Sequence, residues 1–147
     1  MLFRSANVFY LGEQAGTSQI VKLINNHVSA AGRLAVLEGL AMGVKAGIDP
    51  KTLNDVFNVS SGRNYTTTDK VPVALLSGTF KFNGPLTIGL KDQALLLEEA
   101  KQIGAKMWIA PRILETYQEA AAAGYRDQDG MKVYLYMLEQ SAKNEAK

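Results

Sequence analysis

Cysteine is absent from this sequence, and histidine occurs once, at position 27. Disulfides, thiolate metal sites and thiol catalysis are therefore excluded, and one histidine is too few for the clusters that bind zinc. No segment approaches the roughly 20 consecutive apolar residues of a membrane-spanning helix, and the first residues lack the apolar core of a signal peptide. We therefore expect a cytoplasmic protein with no resident metal and no membrane partner.

An excess of charge of one sign is also missing. The chain has 16 Lys and Arg against 14 Asp and Glu, so its net charge is only +2. Because the basic residues are scattered, nothing indicates a nucleic-acid partner. The hydrophobic fraction of 47% and the charged fraction of 20% are typical of globular proteins and exclude intrinsic disorder. A length of 147 residues fits one domain with a buried core.

Apolar residues recur at helical spacing along most of the chain. The pattern predicts an all-α fold of about six helices packed around one very long N-terminal helix. That helix should run from Thr17 to Lys45, about eight turns, with Thr17 or Ser18 as N-cap and Gly47 just after its end. The apolar stripe predicted to face the core comprises Ile20, Leu23, Ile24, Val28, Ala31, Leu34, Ala35 and Met42.

Proline, glycine and aspartate indicate where the other helices begin and end. The predicted boundaries are Asp49-Pro50 for the start of a second helix, Leu76 for the end of a shorter third, Ile88–Ile103 for a fourth, Pro111–Gly124 for a fifth and Asp129 for the start of the last. Pro72 leaves the start of the third helix open. A polar tail, Lys143–Lys147, follows the last helix.

Three polar residues lie close together near the start of the long helix. Asn25 and Asn26 follow Lys22 by three and four residues, so all three can share one side of the helix. A partly desolvated lysine can transfer protons near neutral pH, and asparagine amides can bind a carboxylate or hydroxyl without adding charge. On spacing alone, the commoner explanation is a solvated helix surface, because Lys and Asn are frequent surface residues.

The segment Gly12–Asn26 has the pattern Gly-x-x-x-Gly-x-Ser-x-x-x-Lys-x-x-Asn-Asn. It resembles the catalytic-lysine motif of the β-hydroxyacid dehydrogenase family. That family includes 3-hydroxyisobutyrate dehydrogenases and tartronate semialdehyde reductases, with 6-phosphogluconate dehydrogenase as a distant relative. Further similarities follow in the family's order at Glu38–Ala41, Ala46–Pro50, Leu90–Leu95 and Asp129. The likeness covers nearly the whole chain.

The resemblance implies a function as well as a fold. The chain is similar to the C-terminal half of an NAD(P)-dependent oxidoreductase that acts on a small β-hydroxy acid or reduces its semialdehyde. In such an enzyme Lys22 matches the general acid/base, which moves the hydroxyl proton as the cofactor exchanges a hydride. Asn25 and Asn26 match positions that orient substrate and lysine. Lys91 matches a position that contacts the cofactor, with Asp92 beside it at the edge of the pocket.

Three departures from the family pattern qualify this assignment. Ser18 replaces the last glycine of the turn, and Gly84 stands where many members have a phenylalanine lining the substrate pocket. The third is that the Gly-x-Gly-x-x-Gly fingerprint of an N-terminal Rossmann domain is missing. We therefore expect residues 1–147 to be the helical domain that carries substrate contacts, the catalytic lysine and subunit contacts. Alone, it should bind NAD or NADP weakly or not at all and be inactive.

A second interpretation stays open, in which the chain is a non-catalytic helical dimerisation or ligand-binding module. Both interpretations include a homo-oligomer, because so long an apolar stripe, from Ile20 to Met42, is hard to cover within one small domain. The sequence does not specify the substrate, the choice between NAD and NADP, or the size of the oligomer.

Overall fold

The computed structural model describes residues 8–143, and every regular element in that part of the chain is helical. The α-helices are α1 (Thr17–Lys45), α2 (Pro50–Val59), α3 (Leu86–Gln102), α4 (Ala110–Ala120) and α5 (Val133–Lys143). The shorter elements are a π-helix (Thr66–Leu75), a π-helical turn (Ala121–Tyr125) and a 3-10 turn (Gly130–Lys132). The predicted polar tail was Lys143–Lys147. Lys143 is the last residue of α5, and residues 144–147 lie outside the described part of the chain.

The predicted arrangement, about six helices packed around one very long N-terminal helix, is wrong. The described residues form five α-helices with π and 3-10 elements between them, in place of about six helices of one kind, although α1 has the predicted bounds Thr17–Lys45. In addition, α3 packs against α4 as extensively as it packs against α1. The buried side chains form two clusters, a large one around Leu37 and Tyr117 and a small one around Leu23 and Leu96. α1 contacts every other α-helix and the π-helix, but α3 and α4 also pack extensively against each other, so the helices do not simply surround α1.

The physical reason is that the apolar residues of α1 do not form one continuous buried stripe. Leu23 is buried as predicted, but Ile24 and Val28 of the predicted stripe are 50% and 64% exposed. Met42 is 76% exposed, whereas Leu40 is fully buried. The face that α1 buries therefore differs from the predicted stripe.

Glycine determines where α1 begins. Gly16 occupies the N-cap with a φ of 90°, a left-handed conformation that glycine adopts without strain. The predicted caps Thr17 and Ser18 are therefore wrong, and the Thr17 hydroxyl instead donates to the carbonyl of Gln14 at 2.9 Å. At the other end, Gly47 follows the helix with a φ of 80°, as predicted.

The third predicted helix is a π-helix with a proline inside it. A π-helix pairs N–H groups with carbonyls five residues back, as in the 2.9 Å bond from the N–H of Leu76 to the carbonyl of Val71. The buried Asn54 of α2 donates to the Thr67 carbonyl at 3.1 Å and ties this element to α2. The π-helix is important for the site because it carries Lys70.

Asp129 holds the irregular segment that leads into α3. Its carboxylate accepts hydrogen bonds from the backbone N–H groups of Phe82 (2.6 Å), Gly84 (3.3 Å) and Met131 (3.0 Å). The N–H of Gly130 also donates to the Gly84 carbonyl at 2.8 Å. Asp129 thus caps the 3-10 turn before α5 and fixes the backbone of Gly84 beside it. Among residues 8–143, none of the helices has the length and hydrophobicity needed to cross a bilayer.

Candidate functional site

A polar face runs along α1 from its second turn. Lys22, Asn26, Ser29 and Arg33 are spaced by four, three and four residues, so they stack on one side of the helix. Lys22 is exposed, whereas the other three are partly buried. The face is therefore longer than the Lys22–Asn26 group that the sequence indicated.

Asn26 is held in place by the neighbouring helix. Its Nδ2 donates to Oδ2 of Asp92 in α3, at 2.7 Å. An ionised carboxylate only accepts hydrogen bonds, so this contact fixes the amide with its NH₂ toward Asp92 and leaves Oδ1 available. The bond joins two segments that the sequence singled out separately, 66 residues apart.

Lys22 and Asn25 both lie on the exposed surface of α1. The desolvation that an acid/base lysine needs is therefore not supplied by residues 8–143. Asn25 lines a groove of about 420 Å³ together with Asn64 and Thr66, whereas Asn26 lines both that groove and the pocket beside Asp92. The structure thus brings Asn26, but not Asn25, into contact with Asp92.

Lys91 lies on a different face of α3 from Asp92. Its exposed side chain lines a groove of about 560 Å³ between α3 and α4, with Leu114 and Gln118 on the opposite wall. The structure does not bring Lys91 together with Lys22 and Asn26, and its role at the cofactor stays a prediction.

His27 has a structural contact of its own. Its Nδ1 is 3.1 Å from Oε1 of Gln93, a side chain that is only 1% exposed. The pair ties α1 to α3 next to the Asn26–Asp92 bond. No group of three or more His, Asp or Glu side chains within residues 8–143 is arranged to hold a metal ion.

A small pocket lies where α1, the π-helix and the start of α3 meet. Its volume is about 150 Å³. Polar side chains and glycine supply much of its wall, namely Asn26, Ser29, Arg33, Lys70, Gly84 and Asp92. Neither Arg33 nor Lys70 was predicted from the sequence. Arg33 could have been found, because it lies seven residues after Asn26 on the same helical face.

Arg33 crosses the pocket toward α4. One guanidinium nitrogen donates to the hydroxyl of the buried Tyr117 at 2.5 Å, and the guanidinium carbon lies 5.4 Å from the centre of that ring. The Nε of Arg33 is buried without a hydrogen-bond partner among the described residues. A Cβ at Gly130 would lie 2.9 Å from the nearest guanidinium nitrogen, so the Arg33 side chain would have to shift to admit any other residue there.

Lys70 brings a second cation to the same pocket. Its ammonium lies 5.4 Å from the ring centre of Tyr65 and 5.5 Å from that of Phe82. Loss of hydration on burial, and next the positive charge of Arg33, lower the pKa of Lys70 to about 8, with Asp129 acting in the opposite direction.

The chain matches a known sequence family along most of its length. The family described as "NAD-binding of NADP-dependent 3-hydroxyisobutyrate dehydrogenase" matches residues 16–137. The chain belongs to this family. The match confirms the resemblance that the Lys22 motif indicated.

Individual relatives of this 3-hydroxyisobutyrate dehydrogenase family protein are distant in sequence. The probable mitochondrial 3-hydroxyisobutyrate dehydrogenase of Dictyostelium discoideum is 32% identical in a 137-residue alignment that covers 89% of this chain and 42% of the relative. The 2-(hydroxymethyl)glutarate dehydrogenase of Eubacterium barkeri is 26% identical over 134 residues, 91% of this chain and 44% of the relative. The chain thus spans less than half the length of these relatives.

A solved structure has the same helical fold. The 3-hydroxyisobutyrate dehydrogenase of Salmonella typhimurium superposes with a TM-score of 0.80 and 22% sequence identity, over 89% of this chain and 46% of that protein. At this identity the likeness is evidence of the fold alone.

The description of the family names NAD and NADP, so the described residues can be compared with what a dinucleotide requires. Its pyrophosphate binds where a strand leads through a glycine-rich turn into a helix. Residues 8–143 contain no strand, and Gly12 and Gly16 precede α1 at a different spacing. These residues do not fit a complete dinucleotide.

Proposed function

We propose that this chain is the helical half of an NAD(P)-dependent oxidoreductase. It acts on a small β-hydroxy acid, or reduces the corresponding semialdehyde, with Lys22 as general acid/base. The observation that carries the proposal is the placement of Lys22 one turn before Asn26, which Asp92 holds in a fixed orientation. Membership of the family, and the hydroxy-acid dehydrogenases among the relatives, support it.

In this proposal the chain handles the proton of the reaction, and NAD or NADP supplies the hydride chemistry. In the oxidative direction Nζ of Lys22 accepts the proton of the substrate hydroxyl. In the reductive direction it returns a proton to the alkoxide that forms. Asn26 presents Oδ1 one turn away, where it can accept a hydrogen bond from the hydroxyl or from Lys22. Holding these groups in one geometry is itself a large part of catalysis.

The remaining predicted residues keep secondary roles. Asn25 is a second orienting group from the neighbouring groove, and Lys91 is a cofactor contact on the other side of α3. A dinucleotide-binding domain outside residues 1–147 supplies most of the cofactor site and covers the exposed Lys22. The cytoplasmic location remains a prediction.

We also propose that the chain assembles as a homo-oligomer. Ile24 and Val28 are exposed on the first half of α1, and Trp108 and Ile109 are exposed before α4. Ile24 and Val28 lie one turn apart on α1, and Trp108 and Ile109 are adjacent in sequence, and such groups of exposed apolar side chains are typical of contact surfaces. The alternative function, a non-catalytic dimerisation or ligand-binding module, is not favoured, because such a module does not need Lys22 and Asn26 beside Asp92.

The test replaces Lys22 in the chain joined to a dinucleotide-binding domain. We expect Lys22→Ala to lower kcat by about 10² to 10⁴ while the Kd for NADH changes little, since general acid–base catalysis is worth that much. Lys22→Arg should be nearly as damaging, because a guanidinium keeps its proton at every working pH. Lys101→Arg, at an exposed position near the end of α3, is the matched control. Near-normal turnover of Lys22→Arg would show that the position supplies only positive charge.

A further inference from the structure

Arg33 and Lys70 face one pocket without an acidic partner of their own. Neither forms an ion pair with any residue from 8 to 143. Two carboxylates lie nearby, and the charge of Asp129 partly offsets that of Lys70, but neither forms an ion pair with Arg33 or Lys70. Asp129 accepts from three backbone N–H groups, and Asp92 accepts from Asn26. Two neighbouring positive charges in a partly buried pocket repel each other, and a bound anion relieves this repulsion. Such a pair is therefore typical of an anion-binding site.

The guanidinium of Arg33 has unused donors. Arginine carries five N–H groups in a planar fork, and Tyr117 takes one of them. The buried Nε has no partner among residues 8–143. The ammonium of Lys70 is held over the rings of Tyr65 and Phe82, which leaves its N–H groups free for a ligand. A carboxylate is the group that matches a guanidinium fork in geometry and charge.

The pocket is continuous with the proposed reaction site. Asn26 and Asp92 line one end of it, and Arg33 lies seven residues further along α1, about 10 Å by the rise of a helix. The charge of Asp92 repels an anion from the Asn26 end, which directs it to the Arg33 end.

We propose that Arg33 and Lys70 bind a second carboxylate of the substrate, so that the hydroxy acid on which this chain acts is a hydroxy diacid. The position of the hydroxyl near Lys22 rests on the proposed function. The anion-binding subsite itself rests only on the pocket and its charges. Arg33 and Lys70 are thus residues that determine specificity, and Tyr117 positions Arg33.

The subsite can be tested on the 147-residue chain without cofactor or turnover. Glutarate is titrated into the chain labelled with ¹⁵N, with butyrate as the monoacid of similar length and inorganic phosphate as the alternative anion. We expect glutarate to shift the amide signals of Gly84, Gly89 and Gly130 saturably, and to bind at least 10-fold more tightly than butyrate or phosphate. Absence of a saturable shift at these glycines would overturn the proposal, as would tighter binding of phosphate.

Variants separate the role of these charges from a general effect of net charge. Arg33→Met and Lys70→Met should each weaken glutarate binding at least 10-fold. Lys81→Met, at an exposed position, removes the same charge and should change the Kd less than 2-fold. Gly84→Leu keeps every charge and adds bulk at a residue that lines the pocket, and because a Cβ there meets nothing within 4 Å the fold should tolerate it. It should also abolish binding. An effect of Lys81→Met equal to that of Arg33→Met would contradict the subsite.

The two proposals can fail separately. In the chain joined to a dinucleotide-binding domain, Arg33→Met should lower kcat/KM for a hydroxy diacid at least 10-fold and change it less than 3-fold for a hydroxy monoacid. If turnover depends on Lys22 but glutarate does not bind, the diacid subsite is wrong and the dehydrogenase function stands. If glutarate binds through Arg33 but no hydroxy acid is turned over, the proposed function is wrong and the subsite stands.

Discussion

The two halves of α1 have the same secondary structure but different surroundings. In the first half, up to Ser29, Leu23 is the one buried residue, and Ile24 and Val28 are largely exposed. In the second half, Leu37 and Leu40 are completely buried in the large cluster with α4, α5 and the π-helix. One continuous helix therefore supplies both the core of the domain and an open face beside it.

This difference shows how the helix can serve two purposes. Burial of apolar side chains stabilises a helix far more than its intrinsic propensity does. The second half is fixed by such burial, and it holds the first half rigidly because the helix is unbroken. Lys22 and Asn26 are thus carried on a stable support without being buried in it.

The largest expected effect contrasts one residue from each half. Leu37→Ala should lower the free energy of unfolding by about 2–5 kcal/mol, because it leaves a cavity in the core. At concentrations where the chain is monomeric, Ile24→Ser should change it by less than about 0.5 kcal/mol, as is usual for surface substitutions. Urea denaturation of the two variants and the unchanged chain measures both values.

The Ile24→Ser variant also tests whether the chain forms the proposed oligomer. If Ile24 lies in a subunit contact, Ile24→Ser should shift the mass measured by light scattering toward the 16.0 kDa monomer while the fold persists. A monomer for the unchanged chain at high concentration would contradict the oligomer. Equal destabilisation by Leu37→Ala and Ile24→Ser would contradict the contrast between the two halves.

A smaller effect on the free energy of unfolding is expected for Lys70, which lies in the π-helix and lines the pocket beside α1. The pKa of about 8 in the folded chain lies below the ordinary 10.5. Between these values the unfolded state binds more protons, so the contribution of Lys70 to stability rises with pH in this range. Below pH 8 the charged ammonium carries its full burial cost. Lys70→Met should therefore stabilise the chain at pH 7 by on the order of 1 kcal/mol, after allowance for solvent screening.

The gain from Lys70→Met should shrink as the pH approaches 10. Urea denaturation at pH 7 and pH 9.5, each compared with Lys81→Met at the exposed position, isolates the contribution of Lys70. A difference that is the same at both pH values would show that lost packing, and not charge, explains the change.

Several helix ends could be predicted from the sequence because they depend on local chemistry, although the N-cap of α1 could not. Asp49 caps α2 by accepting from the Thr52 N–H at 2.8 Å, and Pro50 occupies its first turn. Gly104 ends α3 with a φ of 72°, and Gly124 interrupts the helix after α4 with a φ of 99°. Each of these signals acts within one turn, so no tertiary information is needed.

The packing of α1 could not be predicted in the same way. Periodicity shows that a helix has an apolar side but not which neighbour covers it or how far the cover extends. Ile24 and Val28 therefore joined the predicted stripe although they are exposed, and Arg33 was overlooked although it completes the polar face. Lys70 gave no signal, because the π-helix changes the phase of the side chains that follow.

The smallest expected effect is the binding of NADH or NADPH to the chain alone, in which the first half of α1 is open. The 147-residue chain alone should give little or no heat with NADH or NADPH in calorimetry and no dehydrogenase activity, because residues 8–143 lack the strand, turn and helix that bind a pyrophosphate. Lys91→Ala should leave this weak signal unchanged in the chain alone. It should weaken NADH binding only when a dinucleotide-binding domain is joined, since one cation at the edge of the cofactor contributes little without the pyrophosphate site. Micromolar binding of NADH by the chain alone would contradict this prediction. Neither the open face of α1 nor the groove at Lys91 would explain such binding.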